Sequence, residues 1–273
     1  MTGSLLEVRD VARTYSIGRL LSRHWLRAVD GISFTMPSER PEILAVVGES
    51  GSGKTTLARM ILNMVLPTAG SIRFRDTDLC EIRRGRDRLE FMKRVQPIFQ
   101  NPFEAFNPLK KIDRYLFMTA RRVAGLDVMG DAENRVEEVL RKVGLSLAEV
   151  RGRFPHELSG GQLQRIAIAR ALIPAPALLV ADEPVSMIDA SLRLSIVNLL
   201  RRLRDETGVS IVYITHDLAT AYSISDRIII MREGRVVESG DARTVLDNPQ
   251  HPYSIMLKAA VLSPDAAFRI PAG

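Results

Sequence analysis

Residues 42–61, EILAVVGESGSGKTTLARMI, decide the architecture. Five apolar residues, Ile43 to Val47, run without interruption into Gly48, the signature of a strand buried on both faces. Gly48 to Thr55 then fits the spacing G-x-x-x-x-G-K-[ST]. Beyond it Leu57, Met60, Ile61, Met64 and Val65 recur at helical spacing until Pro67 and Gly70 close the segment. Strand, glycine-rich loop and helix in that order make a phosphate cradle. Glycine lets backbone N–H groups curl around a polyphosphate, Lys54 neutralises its terminal oxygens, and the Thr55 hydroxyl is placed to bind Mg²⁺. Gly48, Glu49, Ser50, Gly51, Ser52, Gly53, Lys54, Thr55 and Thr56 are therefore the expected nucleoside triphosphate site.

Outward from this core, LLEVRDV (5–11) and AVDGISFTM (28–36) read as strands, the second containing a turn-like Asp30-Gly31. Residues 101–157 change to helical patterns, with Asp131 as a candidate N-cap, Val136, Val139, Leu140 and Val143 on one stripe, and Gly144 as a candidate C-cap. The core resumes with strand ALLVADE (177–183), a helix over 191–208 ending at Gly208, strand VSIVYITH (209–216), a short helix and the hairpin RIIIMREGRVVES (227–239). Strands alternating with helices imply a mainly parallel sheet. The proline-bearing tail from about residue 242, with Pro249, Pro252, Pro264 and Pro271, reads as a peripheral extension.

Composition narrows the class. With 46% hydrophobic residues in 273, the chain can fill a core, yet no apolar run approaches the roughly 18 residues of a membrane span. The start, MTGSLLEVRD, lacks the basic and apolar pattern of a secretory signal, so a cytosolic location is expected. One cysteine, Cys80, cannot make an intrachain disulfide. A net charge of +6 permits binding to nucleic acid or an anionic surface. The densest basic stretch, RRGRDRLEFMKR (83–94), is broken by Asp87 and Glu90 and reads as a solvated helix face, and aromatics at 5% give no stacking platform for single strands.

Further chemistry sits at strand ends. Asp182 and Glu183 close a buried strand, where open α/β sheets collect their ligands. Asp182 is expected to hold Mg²⁺ through water and Glu183 to act as general base on the attacking water, against the alternative of a carboxylate pair on an exposed turn. His216 ends the next strand in the same way, although a histidine met alone there reads as structural. A second anion site is suggested by LSGGQ (158–162) at the start of an apolar-striped helix, whose first turn offers free N–H groups and the positive end of its dipole.

This set resembles the nucleotide-binding subunit of an ATP-binding cassette transporter over almost the whole chain. The resemblance implies an α/β fold: a P-loop NTPase core with a mainly parallel sheet (1–100 and 158–245), an antiparallel β subdomain, an inserted α-helical subdomain (101–157) and a C-terminal extension (246–273). It makes Gln100 the glutamine that senses Mg²⁺ and the permease, Tyr15 the aromatic that stacks on adenine, and Asp189 part of the loop joining two cassettes. It places the Ser159, Gly160, Gly161 and Gln162 of one subunit on the ATP held by the other, which explains two phosphate cradles in one chain as halves of a two-fold sandwich.

FQNPFEAFNPLKKI (99–112) and DNPQHPYSIMLKAAV (247–261) resemble the peptide, nickel and opine importer branch. ATP-driven dimer closure for import of dipeptides or oligopeptides is then expected; oligosaccharides or opines are alternatives, and a soluble cassette ATPase acting on nucleic acid is a further one. The partners implied are a second cassette (self or a paralogue), two transmembrane permease subunits and, indirectly, an extracytoplasmic solute-binding protein, with no nucleic acid. The location implied is peripheral, on the cytoplasmic face of the plasma membrane. SMID (186–189) replaces the branch's usual SALD while keeping the aspartate, and no cysteine follows Cys80, so the branch's iron–sulfur segment is not expected. IGRLLSRHWLR (17–27), with Trp25, reads as a surface loop or a contact to lipid or permease.

Overall fold

The computed structural model of the chain describes residues 3–17, 24–82, 85–103 and 105–262. The chain divides into two compact units, Met1–Cys80 with Tyr213–Gly273, and Glu81–Val212. Residues 18–23 of the stretch around Trp25, Arg83 and Arg84 of the basic stretch, and Pro264 and Pro271 of the tail lie outside the described residues.

Alternating side chains build the start of the first unit. Strands β1 (Ser4–Ile17) and β2 (His24–Pro37) pair antiparallel in the register Leu6↔Met36, Val8↔Phe34 and Val11↔Ile32, which puts all six side chains in the core. Asp30-Gly31 lies inside β2 and is not a turn between strands. Gly31 takes φ 68° and the β1–β2 register slips between Val11 and Arg13, so the pair makes a bulge. Trp25 pairs opposite Ser16 and is 69% exposed. Strand β3 (Ile43–Val47) is buried at every residue, as its unbroken apolar run requires. Helix α1 (Lys54–Ile61) stops before the periodicity does, because Asn63 turns left-handed at φ 52° and the N–H groups of Met64 and Val65 fold back onto the Arg59 carbonyl. Strands β4 (Ala69–Phe74) and β5 (Thr77–Asp78) complete an antiparallel sheet of order β2-β1-β4-β5.

The second unit opens with α2 (Arg86–Arg94), largely exposed around a buried Phe91, and β6 (Val95–Ile98). Helices α3 (Ile112–Arg122), α4 (Met129–Lys142), α5 (Leu147–Val150) and, after a 3₁₀ turn at Pro155–Glu157, α6 (Gly160–Leu172) follow. The stripe of α4 is buried at Val136, Val139 and Leu140, and Gly144 ends it at φ 78°. Its start differs from the sequence expectation: Val128 is the N-cap and Asp131 sits in the first turn, where its charge favours the helix dipole without capping it. Strand β7 (Leu178–Asp182) runs parallel to β6 in the register Val95↔Leu178 to Ile98↔Ala181. Helix α7 (Ala190–Thr207) ends at Gly208 with φ 71°.

The chain passes along β8 (Ser210–Thr215), all buried, and returns to the first unit as α8 (Leu218–Ile224), β9 (Arg227–Arg232), β10 (Arg235–Asp241), α9 (Ala242–Asp247) and α10 (Pro252–Leu262). Strand β9 pairs parallel with β3 from Leu44↔Arg227 to Val47↔Ile230 and antiparallel with β10. Ala45, Val47, Leu218, Ile230, Leu246 and Tyr253 share one apolar cluster, so the tail segment α10 contributes to this core. Each large side chain fully buried this way contributes about 1.5–3 kcal/mol. The α/β class expected from the sequence is observed, with an antiparallel sheet and mainly parallel core pairing. Among the described residues no helix is long and apolar enough to cross a membrane.

Candidate functional site

The loop between β3 and α1 is shaped by steric necessity. Gly51 and Gly53 hold φ of 84° and 101°, backbone that a side chain disfavours. A Cβ on Gly48 would collide with the Met231 carbonyl oxygen, and one on Gly53 with that of Ala28. The loop therefore presses directly on β9 and β2, and its curvature is held from behind: the Gly234 N–H donates to the Ser52 carbonyl at 3.1 Å. The Lys54 side chain, only 5% exposed, donates from Nζ to the carbonyls of Gly48 and Glu49, both at 2.7 Å, and to Ser52 Oγ at 3.4 Å. Its charge is thus fixed beneath the loop. With no acidic residue in the first turn of α1, the helix start and Lys54 present a positive field suited to a polyphosphate. The cradle fits a polyphosphate because glycine at positions 48 and 53 lets the loop seat against the Met231 and Ala28 carbonyls, while Lys54 and the helix start supply the positive field.

Asp30 braces the same neighbourhood. Its N–H donates to the Gly234 carbonyl at 2.9 Å, and its carboxylate takes Arg235 at 2.6 Å and Arg27 at 2.9 Å. Those partners, Arg235 first, hold its carboxyl below the usual aspartate range. Tyr15, on β1, carries the Arg13 guanidinium 4.7 Å from its ring centre, and Arg13 is itself anchored to the Leu66 carbonyl at 2.9 Å. One face of the ring is backed by a cation, an arrangement compatible with stacking on the other. His216 is exposed just after β8, ahead of Asp217, whose carboxylate caps α8 by accepting from the Ala219 and Thr220 N–H groups.

Within the second unit the structure joins two of the residues picked from sequence. Gln100, two residues past β6, donates from Nε2 to Glu183 Oε2 at 3.3 Å. Glu183 follows Asp182 at the end of β7 and takes φ 47°, a left-handed conformation rare for a side-chain-bearing residue and typical of functional turns. The turn is locked by Ser186, whose N–H and hydroxyl both donate to the Glu183 carbonyl, at 3.2 and 3.0 Å.

Ser159 is the N-cap of α6. Its Oγ accepts from the Gln162 N–H at 3.2 Å while Gln162 Oε1 accepts from the Ser159 N–H at 3.0 Å, a reciprocal capping box that organises the turn of Gly160 and Gly161. A Cβ on Gly161 would come within 2.9 Å of Leu192 Cδ1, so this turn lies against α7. Asp189 is the N-cap residue of α7 and is exposed, and Met187 in the same loop is 61% exposed. Among the described residues no three His, Cys, Asp or Glu side chains gather as a metal site.

The sequence reading did not single out Met231, Ala28, Gly234 or Tyr253 for the loop. All four act through backbone or hydroxyl contacts made by chain distant in sequence, and the HPY triplet at 251–253 was the one local signal. Known proteins resemble this chain along most of its length. The family described as ABC transporter matches residues 29–186. The oligopeptide transport ATP-binding protein OppF of Salmonella typhimurium is 41% identical over 266 residues, covering 96% of this chain and 78% of that protein. The dipeptide transport ATP-binding protein DppF of Escherichia coli is 39% identical over 268 residues, covering 96% and 78%. Among solved structures, a dimeric ATP-binding cassette in a post-hydrolysis state with ADP and Pi superposes with a TM-score of 0.76 at 26% identity, over 87% of this chain and 99% of that one.

Proposed function

The chain belongs to the ABC transporter family, and from that premise we propose that it is the ATP-hydrolysing subunit of an importer of oligopeptides or dipeptides. The observation that carries the reading is the braced loop of Gly48 to Thr56, with Lys54 buried beneath it. The peptide class is supported by the names of relatives that align along nearly all of the chain.

Each site residue has a role that its chemistry supports. Backbone N–H groups of residues 48–56 and the Lys54 ammonium bind the phosphates of ATP, and Tyr15 stacks on the adenine. By the family resemblance, the Thr55 hydroxyl, Gln100 and, through water, Asp182 would hold Mg²⁺, which would supply neutralisation of phosphate oxygens. Glu183 accepts a proton from the attacking water. The water oxygen bonds to the γ-phosphorus as the bond to the β–γ bridging oxygen breaks, leaving ADP and phosphate. Gln100, hydrogen-bonded to Glu183, orients that carboxylate, and His216 meets the γ-phosphate. Ser159 to Gln162 of one cassette, together with the Asp189 loop, close on the ATP held by a second cassette, a copy or a paralogue. Closure is stabilised only while the γ-phosphate bridges the pair, so hydrolysis lets the pair open.

The helical lobe of residues 101–157, with Gln100, receives a coupling helix from one of the two permease subunits at the cytoplasmic face of the membrane, and a solute-binding protein supplies the peptide from outside. The test is Glu183→Gln. It should lower ATP hydrolysis by about 10²–10⁴-fold, the worth of a general base. It should also retain ATP binding and accumulate an ATP-dependent dimer on size exclusion. Unchanged turnover in that variant would overturn the assignment.

A further inference from the structure

The backbone of Glu49 is held through both of its polar groups. Its carbonyl accepts from Lys54 Nζ at 2.7 Å and from the Ser52 N–H at 3.2 Å, while its N–H donates to the Tyr253 hydroxyl at 3.1 Å. The first two partners belong to the phosphate loop. The third comes from α10, 204 residues away along the chain.

The start of α10 is constructed to deliver this hydroxyl. Glu238 on β10 accepts from the Gln250 N–H at 2.9 Å and the His251 N–H at 3.1 Å, one carboxylate oxygen to each. The imidazole Nδ1 of His251 accepts from the Tyr253 N–H at 3.1 Å, which ties down an otherwise unpaired donor of the first turn. Pro252 opens the helix with no N–H to satisfy and a pre-set φ. The Tyr253 ring is 2% exposed in the core cluster with Val47 and Ile230, and the Arg232 guanidinium stands 5.1 Å from its centre. Packing thus leaves the phenol one place to point.

We propose that Tyr253 is a positioning residue for nucleotide binding. By holding the Glu49 N–H from outside the loop, it fixes the Gly48–Glu49 peptide, whose Gly48 carbonyl receives Lys54 at 2.7 Å, and so sets where the ammonium and the following N–H groups meet the phosphates. The inference rests on the ATPase reading and extends it: the C-terminal helix is a working part of the phosphate site.

The decisive variant is Tyr253→Phe, which keeps the packed ring and deletes one hydroxyl. In the full chain, the Kd for MgATP measured by calorimetry should rise about three- to tenfold, as the loss of one hydrogen bond implies. The KM for ATP should rise in parallel while kcat at saturation stays near wild type. Hydrogen exchange at the Glu49 amide should accelerate, with the amides of α10 unchanged. The melting temperature of Tyr253→Phe should stay near wild type, because the packed ring is kept, whereas Leu257→Ala, which loosens α10 where it packs on the cluster, should lower it. A Tyr253→Phe chain with wild-type Kd and wild-type Glu49 exchange would overturn the inference, as would one whose weaker binding comes with a melting temperature lowered as far as that of Leu257→Ala. A wild-type chain that binds no MgATP would instead sink the ATPase reading itself.

Discussion

Gly53 shows how a single position can be fixed by two independent demands. Its φ of 101° is costly for any residue with a side chain, and a methyl there would strike the Ala28 carbonyl, which belongs to a strand and cannot retreat. Gly53→Ala should therefore weaken MgATP binding by at least tenfold and lower the free energy of unfolding by about 1–3 kcal/mol. Calorimetric titration and urea unfolding check both, and a variant that binds ATP like wild type would contradict the steric argument. Such requirements make the loop legible in sequence: each glycine, the lysine and the threonine is there because other residue types fail. The places of Asp182, Glu183 and Ser159, at a strand end, in the turn after it and at a helix start, were legible from the apolar runs that border them. Tyr253 was not. A tyrosine in a proline-bearing tail satisfies local rules equally well in solvent or against a distant loop, and only the assembled chain discriminates.

At the level of elements, the punctuation was read better where glycine supplied it. Gly208 ends α7 and Gly144 ends α4, both left-handed as their residue type allows. The N-terminal ends were read less well, because Asp131 has the right chemistry for a cap yet the chain enters α4 two residues earlier, at Met129. For α1 the apolar spacing continued to Val65, but the turn at Asn63 ends the helix and leaves Met64 49% exposed. Hydrophobic periodicity reports which face is wet, not where backbone hydrogen bonds stop. Since nothing lies within 4 Å of a Cβ at Gly208, replacing it tests conformation alone. Gly208→Ala should cost about 1 kcal/mol through the left-handed backbone, lower the urea midpoint, and leave nucleotide affinity at its wild-type value. An unchanged midpoint would mean that α7 is stopped by tertiary contacts and not by its glycine.

For the molecule as a whole, exposed carboxylates set the acid limit. The Leu147 N–H and then Arg141 hold Glu137 below its ordinary value, Lys142 and Arg135 do so for Glu138, Ser146 for Glu149, the Thr244 N–H for Asp241, and Arg235 for Asp30. A carboxyl depressed on folding adds stability that is complete above its unfolded pKa, near 4, and is lost as pH falls through the folded value. Glu42 has the opposite sign: burial raises it, partly offset by Arg227 at 3.0 Å, so its protonation favours the fold. The depressed groups outnumber it. The urea midpoint should stay level from pH 7 to about 5 and drop below about pH 4, and a midpoint that rose on acidification would show that buried acids dominate instead.

The left-handed turn at Glu183 has one more implication. A backbone of this kind is easiest for glycine, so the proposed proton acceptor sits where a smaller residue would be seated at lower free energy. A lineage selected for heat resistance alone would drift toward filling that seat with glycine, and would arrive at a sturdier cassette that grips its fuel and never burns it.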